Sequence, residues 1–119
     1  MLQAPRGIIT PHLDILTATI SSLCKLTVQN NGHLPSSLPV KSRSYNLVQI
    51  CHGAPGLLLL LAVVKDHYPR IWKREWDEAE ALATEVIWRE GILKKGISIC
   101  HGLSGNAWTL LLLSQIQKE

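Results

Sequence analysis

Two short stretches decide the fold: Ile50-Cys-His-Gly-Ala-Pro-Gly56 and Ile99-Cys-His-Gly-Leu-Ser-Gly105. Both read Ile-Cys-His-Gly-x-x-Gly; Leu57–Val64 follows the first directly, and Leu110–Leu113 follows the second after four residues. Cys51 and Cys100 lie 49 positions apart. A loop pattern repeated at such a period, each time before an apolar run, is the mark of a repeated supersecondary unit. The eight-residue run Leu57–Val64 is far shorter than the roughly 18 residues a membrane span needs. It reads as a helix buried on all sides.

Working outward, each apolar run has an amphipathic neighbour. Thr10-Pro11 reads as an N-cap followed by proline at the first helical position. Leu13, Leu16, Ile20 and Leu23 then follow at helical spacing through Leu26. Residues 29–46 carry Asn-Gly, prolines and serines and read as a loop. A helix is expected from about Pro55 to Asp66, broken by His67–Trp72. Another is expected from about Arg74 to Arg89, with Trp76, Ala79, Ala83, Val86 and Ile87 on its apolar face and Glu75, Asp77, Glu78, Glu80 and Glu85 mostly solvated. Gly91 reads as its C-terminal stop, and a last helix spans Gly105 to Gln117. No segment alternates as a strand. The fold class is therefore all-α. All-apolar helices alternate with amphipathic ones, as the inner and outer members of a ring of hairpins require. Both Cys-His-Gly loops (residues 49–56 and 96–105) then share one rim.

Composition narrows the function classes. The chain has 119 residues, 46% of them hydrophobic, and a net charge of 12 minus 9, or +3. The basic residues are scattered, which argues against nucleic acid as a partner. The first residues, MLQAPRGIITP, contain no apolar core of a secretory signal. The three cysteines suit metal or thiol chemistry better than a disulfide framework. A cytoplasmic setting is expected, with no transmembrane segment and membrane association at most peripheral.

The two loops offer up to four ligands: Cys51, His52, Cys100 and His101. Zinc is the natural ion for sulfur and nitrogen donors. Four ligands would make a closed structural site, and three would leave an open position. The helix N-termini that follow are expected to lower the cysteine pKa values. The Gly-x-x-Gly spacing alone, with no preceding strand and no P-loop lysine, is a weak phosphate signal. Cys24 reads as a buried apolar residue. Trp72, Trp76, Trp88 and Trp108 read as core. Lys94 and Lys95 read as solvated charges, and His12, His33 and His67 carry no signal.

LVQICHGAPG (Leu47–Gly56) and GILKKGISICHGLSGNA (Gly91–Ala107) resemble two signature segments of the eukaryotic branch of the lanthionine cyclase-like (LanC-like) family. NGHLPSS (Asn31–Ser37) and EVIWREG (Glu85–Gly91) are similar to the same family at the corresponding places. The likeness covers nearly the whole chain and is weakest over the first 25 residues. Ile50 departs from the aromatic residue usual before the first cysteine.

The resemblance implies an α/α toroid of seven hairpins, of which this chain would supply about two as a partial domain. It implies one zinc ion held by Cys51, Cys100 and His101, with the fourth position open. His52 would be an active-site group and Lys95 a glutathione-binding residue. The implied chemistry is addition of a thiol, from glutathione or a peptide cysteine, to a dehydroamino acid in a peptide. As an internal slice of such a toroid, the chain is expected to turn over poorly by itself. The alternatives are a non-catalytic, zinc-stabilised or glutathione-binding interaction module and, more remotely, a thiol redox protein using Cys51 and Cys100.

Overall fold

A computed structural model describes residues 4–39 and 46–117. Its elements are helical: α1 (Arg6–Ile9), a 3-10 turn (Thr10–His12), α2 (Leu13–Gln29), α3 (Ala54–His67), a second 3-10 turn (Pro69–Ile71), α4 (Trp76–Glu90) and α5 (Leu103–Ile116). The described residues contain no strand, only an isolated antiparallel bridge between Val48 and Gly53. The all-α expectation holds. Residues 40–45 of the expected 29–46 loop lie outside the described residues.

The helices form two layers. α3 packs on α5, α2 packs on α4, and α4 joins the layers by packing on α3. This is the inner and outer pairing of a partial α/α toroid. The core is built from Ile20 and Cys24 of α2, Leu57, Leu58, Leu61, Ala62 and Val64 of α3, and Trp76, Ala79, Ala83, Val86 and Ile87 of α4. Trp76 is completely buried. Its indole N–H donates to Ser21 Oγ at 3.0 Å, and its ring meets Trp72 edge-on at 5.5 Å. A buried indole needs such a partner for its polar edge.

Several expectations are corrected. Thr10 does not cap α2. The chain is already helical upstream, so its hydroxyl donates back to the Arg6 carbonyl at 2.7 Å. α3 and α5 begin at Ala54 and Leu103, slightly ahead of the expected starts. Gly91 ends α4, but with φ at −75° rather than in the left-handed region. Glu80 is 6% exposed instead of solvated. Its carboxylate pairs with Lys65 of α3, and Gln117 donates to it at 3.3 Å. Lys65 also lies 4.5 Å from the centre of the Trp72 ring. Such a buried charge is tolerated because it is paired and hydrogen-bonded. Trp88 and Trp108 are not core: they are 75% and 58% exposed. α5 is likewise covered on one side only, burying Gly105, Asn106, Thr109 and Leu113 while Leu111 stays exposed.

The repeat in the sequence is a repeat in space. A Cβ on Gly56 would sit 2.5 Å from the Ile50 carbonyl oxygen, and one on Gly105 would sit 1.9 Å from that of Ile99. The two carbonyls occupy equivalent positions. Each loop folds back over the start of its helix, and only glycine leaves room for the contact. Gly105 also faces Ile50 Cδ1, 2.9 Å from the same point. Ile50 thus packs from the first loop onto the second.

Gly105→Ala should therefore destabilise the chain by about 1–3 kcal/mol, the usual cost of overpacking. Gly7, where a Cβ would meet nothing within 4 Å, provides the contrast. Gly7→Ala should be stabilising by about 0.4–1 kcal/mol. Urea denaturation of both variants checks the pair.

Candidate metal centre

Cys51, Cys100 and His101 each place a ligand atom within 4.8 Å of the other two. Two loops bring them together. Cys51 stands three residues before the first turn of α3, and Cys100 three residues before α5. Because α3 and α5 pack side by side, the loop ends meet. The Cys51 N–H donates to the Cys100 carbonyl at 3.4 Å and ties the loops directly.

The first loop is narrow. The Gln49 N–H donates to the His52 carbonyl at 3.3 Å, and Val48 bridges Gly53. Gly53 adopts φ +130°, where a Cβ would lie 1.9 Å from the Leu47 carbonyl oxygen. Glycine is the residue that can close this turn. Asn106, 2% exposed on α5, fastens the assembly. Its side-chain amide donates to the Val48 and Gly91 carbonyls, both at 2.9 Å. The second loop, the base of the first and the end of α4 are thereby held together.

All three converging side chains are exposed. Cys51 Sγ–H donates to the Gln49 side-chain oxygen at 3.5 Å. The Cys100 thiol is pushed above its ordinary value, chiefly by the neighbouring Cys51 side chain and to a smaller degree by slight desolvation. For Cys100 the shift runs opposite to the lowering expected from a helix N-terminus, because a second thiol lies within 4.8 Å. Two adjacent sulfurs and an imidazole nitrogen are the donor set zinc takes, and a cation removes the repulsion between two thiolates. The residues fit the ion.

His52 is exposed and is not among the side chains that converge. Lys95 is exposed on the segment between α4 and α5. Lys94 is equally exposed, as expected. Cys24 is buried as expected, 2% exposed. Burial first, then Glu75 and Glu80, push its thiol up to about 11. His33 was expected to carry no signal. It is buried, with Nε2 3.3 Å from Glu90 and Nδ1 without a partner among the described residues, so it helps dock the loop after α2 onto the end of α4. The sequence reading also passed over Gln49 and Asn106. Their only advance sign was a polar residue inside an otherwise apolar stretch.

Paired inner and outer helices, with two cysteines and a histidine at one rim, define a class of helical-repeat proteins carrying a Cys2His site. Residues 3–119 match the family described as Lanthionine synthetase C-like protein. The chain belongs to that family. It is 30% identical over 106 residues to a Danio rerio protein named glutathione S-transferase LANCL1, an alignment covering 89% of this chain and 25% of that protein. It is 34% identical over 87 residues to the Arabidopsis thaliana LanC-like protein GCL1, covering 73% of this chain and 19% of that one. The chain thus spans about a quarter or less of the length of these relatives. Among the described residues no helix is long and apolar enough to cross a membrane.

The Cys24 shift has a direction in pH. Its folded value lies above the ordinary 9.0, so the folded state holds the proton more tightly than the unfolded one. The stability tied to the neutral thiol is fully present below pH 9 and is lost as pH rises toward 11. Unfolding measured between pH 8 and 11 should show a steeper alkaline decline in the native chain than in Cys24→Ala.

Proposed function

We propose that Cys51, Cys100 and His101 hold one zinc ion, and that the site serves addition of a glutathione-type thiol to a dehydroamino acid in a peptide. The observation that carries this reading is the convergence of two sulfurs and an imidazole within 4.8 Å. Three protein ligands leave one coordination position for an exchangeable group, the arrangement of catalytic rather than structural zinc. When bound, the ion supplies a thiol held as thiolate at neutral pH. Family membership and the name of the Danio rerio relative support the thiol class and glutathione.

The chain's own residues have distinct tasks in this proposal. Cys51 and Cys100 supply negative charge, which keeps the site electron-rich, and His101 completes the triad. His52, exposed beside Cys51, carries an imidazole, the side chain most often used for proton transfer. It would deliver a proton to the carbon left anionic after thiol addition. Lys95, five residues before Cys100 and exposed, offers a cation to a glutathione carboxylate. Free thiols in working order suit a cytoplasmic setting.

The exposure of all three ligands sets a limit on rate. Orientation of both substrates and exclusion of water depend on walls around the site, and general acid catalysis alone is typically worth about 10²–10⁴-fold. The 119-residue chain should therefore bind zinc but form thioether slowly from glutathione and a dehydroalanine peptide. Turnover at the rate of a full-length relative would contradict this. Zinc binding with no thioether at all would favour a zinc-clamped interaction module, a reading supported by the direct bond between the two loops.

Two variants test the ligand set. Cys51→Ala removes a sulfur donor and should lose zinc, whereas His52→Ala should retain most of it. Elemental analysis of the purified chains measures both. Equal loss in the two variants would indicate a closed four-ligand site.

A further inference from the structure

The two cysteines of the candidate centre are not equivalent. Cys51 Sγ has a side-chain partner, the Gln49 amide, at 3.5 Å. Gln49 is 5% exposed. The equivalent position 49 residues on is Ser98, which is exposed and makes no side-chain hydrogen bond among the described residues. The neck of the first loop also fixes the Gln49 backbone, through its N–H to the His52 carbonyl at 3.3 Å and the adjoining Val48–Gly53 bridge. A buried amide on a fixed backbone, two residues from a ligand candidate, has few places to go.

We propose that Gln49 is a positioning residue for the metal centre, aiming Cys51 Sγ at Cys100 and His101 and hydrogen-bonding that sulfur in both its free and its metal-bound form. The inference rests on the zinc reading above. A free thiol carries a proton, and its partner must accept it; the Gln49 oxygen does so here. A metal-bound sulfur has lost that proton, and its partner must donate. Glutamine carries both functions on one planar group. A half-turn about the terminal torsion, which is broad and roughly two-fold, exchanges oxygen for N–H without moving the backbone. Neither a carboxylate nor an aliphatic side chain of this length offers that exchange. Hydrogen bonds from such partners typically change metal affinity roughly 10–100-fold.

The test uses Gln49→Met, which keeps length and flexibility but removes the amide, with Ser98→Ala as the comparison on the other loop. Zinc affinity is measured by competition with a chromophoric chelator. The cobalt(II) form is then examined for its sulfur-to-metal charge-transfer band. Gln49→Met should weaken zinc binding roughly tenfold or more and move the cobalt band to longer wavelength, because a sulfur without a donor gives up charge more easily. Ser98→Ala should change neither. Native affinity and an unmoved band in Gln49→Met would overturn the inference. So would loss of binding together with loss of the helical far-UV signal of the metal-free chain, which would make Gln49 a structural residue only. If the native chain itself takes up neither zinc nor cobalt, the metal reading fails first and this inference with it.

Discussion

At two points in this chain a glycine lies against a carbonyl oxygen with no room for a side-chain carbon between them. Gly56 meets Ile50 and Gly105 meets Ile99, and the rest of the arrangement follows from that contact. It folds each Cys-His-Gly loop back over the first turn of an inner helix. It sets each cysteine a fixed distance ahead of that turn. Since α3 and α5 pack side by side, two loops shaped in the same way must present their cysteines to each other. Asn106 then locks the result, bonding the first loop and the end of α4 from within α5.

The repeat is not carried through to the side chains, and the site depends on the difference. Gly53 takes a left-handed backbone at +130°, whereas its counterpart Gly102 is extended at −131°. His101 joins the two sulfurs while His52 does not. Gln49 reaches its cysteine while Ser98 stays exposed. A strictly symmetric pair of loops would bring in both histidines or neither, converging four side chains or two. The asymmetric pair converges three.

Much of this was legible in the sequence. Helical periodicity placed α2 and α4, because one apolar face per helix is a local pattern, and the apolar runs after the repeated loops placed α3 and α5, with starts shifted by a few residues. The repeated block predicted that the loops share a rim. What failed was whatever needs knowledge of neighbours. Glu80 sits in a helix that reads as acidic and solvated, and only the approach of Lys65 from α3 and Gln117 after α5 makes its burial tolerable. Trp88 and Trp108 read as core because an apolar residue at helical spacing does not reveal whether anything covers it. The Cys100 shift depends on a second thiol brought within 4.8 Å by the other loop. In the site, the Cys-His spacing is the same in both blocks and could not choose between His52 and His101. That choice came from the family resemblance, and the geometry brings together the same three residues.

The central claim is one zinc ion on two sulfurs and one imidazole. X-ray absorption at the zinc edge of the metal-loaded chain tests it most directly. The account predicts two sulfur neighbours near 2.3 Å and light-atom neighbours near 2.0–2.1 Å, one of them an imidazole and one exchangeable with added thiol, so that glutathione raises the sulfur count from two to three. A first shell of two sulfurs and two imidazoles that is unchanged by glutathione, or one with no sulfur, would contradict it.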